Sequence, residues 1–209
     1  MSWRIAAFAG GLASLWVAVA SPVSHLDHHL LTAHMVQHLL LMLVAAPLVL
    51  LGVGSSSRLH WRPNLVVSWL AGSLTVIIWH VPAIFELALR SPFWHAFEHA
   101  TFFVAGILFW WPAVRSGFES QSWSLPIYFF LATLPCDALS AFLAFCGHVV
   151  YPPYLSGHRH FGLSPLDDQA LAGALMWVTV TFAYLIPALV LTARLLSSER
   201  RYAARILVS

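Results

Sequence analysis

The 209-residue sequence contains no lysine, and charged residues of any kind make up only 9% of it. A water-soluble globular fold needs more polar surface than that, and the 60% hydrophobic content places the chain in a bilayer. The 10 basic residues, all arginine, against 8 acidic ones leave a net charge of +2, which excludes the basic footprint of a nucleic-acid binder. Lipid and other membrane proteins are the partners to consider. Cysteine is scarce too: Cys136 and Cys146 lack the CxxC spacing of a redox or zinc motif. On one helix their separation rises about 15 Å, too far for a disulfide, whose Cα atoms lie within about 7 Å.

What is present is apolar and long. Stretches able to cross a bilayer, roughly 17 to 25 residues each, fall at 3–20, 30–51, 65–81, 94–112, 125–148 and 169–196. The expectation is a single all-α domain over 1–209, a polytopic integral membrane bundle of about six transmembrane helices. Segments rich in Gly, Pro, Ser and Asp, such as "SPVSHLD" and "YPPYLSGHRHFGLSPLDD", separate the spans. Arg4, the apolar core and "AVA" before Ser21 imitate a secretory signal with its cleavage site, and cut or uncut, Ser21 falls on the outer side. Counting arginines beside the spans gives eight on the side of the N-terminus and two, Arg90 and Arg159, on the other. By the positive-inside rule both termini are expected in the cytoplasm.

That orientation gathers the histidines. Eleven of the 12 fall on the outer side, His60 alone on the inner. His25, His28, His29, His158 and His160 read as solvated loop positions, and His148 as a residue of a helix end. His34, His38, His80, His95 and His99 lie in or at the ends of spans, where an ionisable group is costly and by default points to function. His34 and His38 are four apart, as are His95 and His99, a spacing that puts two imidazoles on one helix face about 5 to 6 Å apart. Each pair is able to clamp a metal. "HMVQH" lacks the interior glutamate of a zinc protease, whereas Glu98 beside His99 gives the second pair a carboxylate.

Further polar groups have structural readings. Pro82 after His80 is expected to end or kink the third span, leaving Ala83 to Leu89 as a short interfacial helix with Glu86 at headgroup depth. Asp137 lies mid-span, where an unpaired carboxylate costs roughly 2.5 kcal/mol or more, so it must be protonated, hydrogen-bonded or paired. Asp167 or Asp168 is expected to cap the last helix, at the level of the histidines, and Gly173 with its alanine neighbours to permit close helix packing. Imidazole suits copper, zinc, iron and nickel, while Met35, Met42, Cys146 and Met176 are soft groups most simply read as core filler. Spacing alone does not choose between copper and a haem held between helical histidines.

Four segments, "AHMVQHLLLMLVAAPLVLLG", "WHVPAIFELAL", "FEHATFFVAGILFWWP" and "DDQALAGALMWV", resemble in this order the signatures of the CtaG family of cytochrome c oxidase assembly factors, over about Phe8 to Ala193. The resemblance implies a multi-pass protein of the bacterial cytoplasmic membrane, not an enzyme, serving haem-copper oxidase subunits and linked with copper supply and copper chaperones. By position, the family's HMxxH falls on His34 and His38, its WHxP on His80, its EH on Glu98 and His99, and its DQ on Asp168 and Gln169. His95, His148 and the cysteines match no element of the pattern, and many members carry an additional preceding helix. The resulting expectation is a copper site near the outer face built from His34, His38, His80, His99, Glu98 and Asp168. The alternatives are a haem-binding membrane redox protein and a metal-free scaffold for oxidase subunits.

Overall fold

The computed structural model describes residues 2–54, 64–116, 122–156 and 162–206, with backbone alone at 22–23, 156 and 199–206. His60, His158, His160, Arg58, Arg62 and Arg159 lie outside the described residues. Among the described residues there is no strand. The helices are α1 (Ser2–Ala20), α2 (Leu31–Leu39), α3 (Ala46–Val53), α4 (Leu65–Trp79), α5 (Pro82–Arg90), α6 (Pro92–Arg115), α7 (Ser124–Phe145) and α8 (Pro165–Ile206). Five helical runs are long and apolar enough to cross a bilayer, and α4 with α5 makes a sixth if taken as one broken crossing.

The second span is not one uniform helix. Between α2 and α3, Leu40–Ala45 form a π-helical turn in which the Ala46 amide bonds to the Leu41 carbonyl. Pro47, which has no N–H and crowds the preceding turn, accounts for the break in register. The Met42 carbonyl thereby loses its helical donor, and the Trp110 indole N–H donates to it at 3.0 Å. A proline in one span is thus compensated by a tryptophan in another.

The third span stops at Trp79. Val81 is extended, as the residue before a proline prefers, and α5 departs from α4 at 77°. α5 covers the short helix expected there, with Arg90 donating to Glu86 at 2.7 Å. α7 packs on α8, α1 on α3, α4 on α6, and α2 on α8. Glycines permit close approaches between helices: a Cβ at Gly106 would stand 2.8 Å from the Ala46 Cβ, and one at Gly173 only 2.6 Å from the Ala144 amide nitrogen. Along α8, Met176, Val180, Tyr184 and Leu191 are buried while Val178, Phe182, Ile186 and Leu189 are exposed. Both faces are apolar, as expected of a helix whose outer solvent is hydrocarbon. Asp137 accepts a hydrogen bond from Thr181 at 3.1 Å, so the mid-span carboxylate is partnered.

Candidate metal centre

Hydrogen bonds between distant segments tie the N-terminal ends of α2 and α8 and the α4 to α5 corner together. Asp168, in the first turn of α8, accepts from the backbone amides of Leu31 at 2.6 Å and Thr32 at 3.1 Å, at the start of α2. Those amides have no partner within their own helix, and a carboxylate at a helix N-terminus also meets the positive end of its dipole. Gln169 accepts from the Val150 amide at 2.7 Å and donates to the Leu143 and His148 carbonyls. From the loop after α7, Tyr151 donates to the His80 carbonyl at 3.0 Å and Tyr154 to the Asp27 carbonyl at 2.7 Å. Burial pushes both phenols above their usual range, which keeps them neutral donors.

Within this frame α2 presents His34 and His38 one turn apart, with ring centroids 4.3 Å apart. α6 presents His95 and His99 likewise, 4.2 Å apart, with Glu98 between them in sequence. The helix pairs face each other: His34 lies 5.7 Å from His95 and His38 5.9 Å from His99. Glu98 Oε1 is 3.4 Å from His34 Nε2 and 3.3 Å from His38 Nε2, and all three side chains are buried.

Three groups bring one donor atom per residue within 4.8 Å of one another: His34, His38 and Glu98; His95, Glu98 and His99; and Asp27, His34 and His95. They share members and so form one continuous cluster. Its donors are largely unsatisfied: both nitrogens of His38, Nδ1 of His34, Nε2 of His95 and His99, and Oε2 of Glu98 are buried without a hydrogen-bond partner. His38 Nε2 with Glu98 Oε1, and His95 Nε2 with Asp27 Oδ2 at 3.2 Å, approach closely without hydrogen-bond alignment. Buried polar atoms are normally paired, so a set of lone pairs converging on a common space fits a cation. A cavity of about 560 Å³ touches the cluster at Asp27, His95 and His99 and reaches His25 and His28, whose side chains are exposed.

Of the residues expected at the site, His34, His38, Glu98 and His99 come together. His80 and Asp168 belong to none of the three groups. The two Asp168 oxygens are engaged with the α2 amides, which gives the acid a capping role on a neighbouring helix rather than on its own. The His80 ring lies 6.0 Å from His38, with Nδ1 at 2.7 Å from the Val76 carbonyl and Nε2 at 3.3 Å from Met35 Sδ. His95, paired with His99 by spacing but outside the copper site expected from the family pattern, joins the cluster, and so does Asp27, which spacing did not single out. For Asp27 the signal is there in "HLDHH": it is the sole acidic residue before Glu86. Cys136 and Cys146 are free thiols.

A helical membrane bundle with a buried imidazole and carboxylate cluster at one end of its helices is the class that fold and site define. Residues 1–198 match the family of the cytochrome c oxidase caa3 assembly factor (Caa3_CtaG), and the chain belongs to that family. No match is found among curated proteins or solved structures. The chain is therefore a membrane protein of an oxidase assembly-factor family, which points to a non-catalytic role and to oxidase-related partners.

Proposed function

We propose that the chain binds copper at His34, His38 and Glu98 and hands it to haem-copper oxidase subunits during their assembly. The observation carrying this reading is the cluster of converging, unpartnered donors around Glu98 in a family of oxidase assembly factors. Imidazole with carboxylate is a borderline donor set that copper accepts readily. His95, His99 and Asp27 form the approach, and the adjoining cavity supplies a path for loading and release. An imidazole-dominated site suits delivery, because protons and competing ligands exchange with it. By the arginine count the cluster faces the outer side of the bacterial cytoplasmic membrane with both termini inside, accessible to copper chaperones there.

Packing favours an ion over a haem. Phe102 stacks on the His38 ring at 3.8 Å and Phe85 lies 4.8 Å from His34, so aromatic side chains fill the space a macrocycle would need. The test is complementation of an assembly-deficient strain with His34→Ala plus His38→Ala, reading oxidase copper and haem alongside the level of the variant. Copper-poor oxidase with normal accumulation of the variant is expected. Fully metallated oxidase overturns the copper reading and leaves the scaffold. Purified protein should carry copper and show no Soret band; a Soret band with stoichiometric haem reverses the choice of ligand.

A further inference from the structure

Beneath the cluster lies a second set of donors with different chemistry. Met35, Met42, Met176, Cys136, His38 and His80 line a cavity of about 20 Å³ between α2, α4, α7 and α8. The chain has 4 methionines including Met1, so all the internal ones converge here. Methionine fills irregular cores, and sulfur alone would argue only for packing. His80 changes that reading. Its Nδ1 is 2.7 Å from the Val76 carbonyl, which can only accept, so Nδ1 carries the proton and Nε2 presents a lone pair. That lone pair faces Met35 Sδ at 3.3 Å, a second electron-pair donor with no proton to share. Nε2 and Sδ are thus two electron-pair donors in contact with no hydrogen between them, an arrangement that an ion held by both explains. The cavity holds about one water-sized body, the scale of a single metal ion.

We infer that His80 Nε2 and Met35 Sδ, backed by Met42, Met176 and the Cys136 thiol, form a second metal site selective for a soft monovalent cation, copper(I). Thioether, thiol and imidazole donors select copper(I) over divalent ions. His38 separates this chamber from the outer centre, with Glu98 3.3 Å from its Nε2 supplying nearby negative charge. The inference takes the identity of the metal from the copper reading but stands on donors that the outer centre does not use, apart from the wall shared at His38.

The test uses the full chain with selenomethionine in lipid nanodiscs, loaded anaerobically with copper(I) and examined by X-ray absorption at the selenium edge. A copper neighbour to selenium is expected, in wild type and equally in Glu98→Gln. Met35→Leu conserves volume, a change usually worth less than about 1.5 kcal/mol, and by removing a direct ligand it should lower copper(I) affinity by more than about 100-fold. Copper(II) binding at the outer centre should be unchanged in that variant. Absence of copper from the selenium shell, or full copper(I) affinity in Met35→Leu, overturns the inference. Loss of copper(II) binding in Glu98→Gln with the selenium signal intact separates the two sites; an intact selenium signal in a chain that never bound copper(II) sinks the outer reading alone.

Discussion

Two donor sets stand next to each other in this bundle, and among the helices that build them they share only α2. The first is made of imidazole and carboxylate, reaches a large cavity, and leaves most of its donors unpaired. The second is made of sulfur and one fixed imidazole, in a chamber of about 20 Å³. The same α2 supplies His34 and His38 to the first and Met35 to the second, so a rotation of one residue along a helix changes the ligand class. Stacking a nitrogen and oxygen set against a sulfur set gives a protein two affinities for the two oxidation states of one metal, without moving its backbone.

The comparison breaks most sharply at Glu98. Its carboxylate belongs to two of the three ligand groups, and Glu98→Gln keeps the shape while removing the charge. Losing even an outer partner of a metal ligand typically lowers affinity by about 10–100-fold, and a direct ligand should exceed that. Copper(II) titration of the purified variant should show the loss, with thermal stability near that of wild type. Equal loss at the sulfur chamber would mean that the two sets are one site.

Gly106 tests the scaffold common to both. A Cβ there would stand 2.8 Å from the Ala46 Cβ and 3.0 Å from the Met42 carbonyl oxygen, which also takes the Trp110 hydrogen bond. Gly106→Ala should destabilise the bundle by about 1–3 kcal/mol, as overpacking does, read as a lowered melting temperature in detergent. Because the clash falls on Met42, the sulfur chamber should lose metal before the outer cluster does. The opposite order would remove Met42 from the second set.

Asp168 discriminates in the other direction. Asp168→Ala takes away both acceptors for the Leu31 and Thr32 amides, and loss of a helix cap costs about 0.5–2 kcal/mol. His34 follows in the next turn of α2, so copper(II) binding should weaken modestly while copper(I) binding in the chamber holds. If Asp168→Ala abolishes copper(II) binding as completely as Glu98→Gln, with no loss of stability, the acid is a ligand after all.

These contrasts also mark what was legible beforehand. The bundle of spans and the pairing of His34 with His38 followed from hydropathy and helical spacing, because both are local properties. The π-turn was not foreseen: Pro47 announces a break, but which carbonyl is freed depends on Trp110 from another helix. From sequence Asp168 reads as a cap of its own helix, alternative to Asp167, and as a member of the expected copper site; only the contact of α8 with α2 turns its oxygens toward Leu31 and Thr32. Asp27 carries no helical spacing that would single it out; its burial depends on how the loop folds over the bundle, with Tyr154 from the loop after α7 donating to its carbonyl. From sequence the methionines read as filler, and that changes only when their common cavity and the orientation of His80 are known. Position along the chain reveals residue chemistry; which groups face one another is a property of packing.

Tyr151 gives the smallest and finest test. Its hydroxyl donates to the His80 carbonyl at 3.0 Å, on the corner where α4 turns into α5, while its ring stacks on Phe85 at 4.1 Å. Because burial holds the phenol in its neutral form, Tyr151→Phe removes a single uncharged hydrogen bond and keeps the ring stack. A loss of about 0.5–1.5 kcal/mol in stability is expected. The consequence for metal should be selective: the freed carbonyl loosens the His80 backbone and lowers copper(I) affinity only severalfold, whereas His34, His38 and Glu98, carried by α2 and α6, keep theirs. A fall in copper(II) affinity instead would show that the tyrosine supports the outer cluster through Phe85, which lies 4.8 Å from the His34 ring.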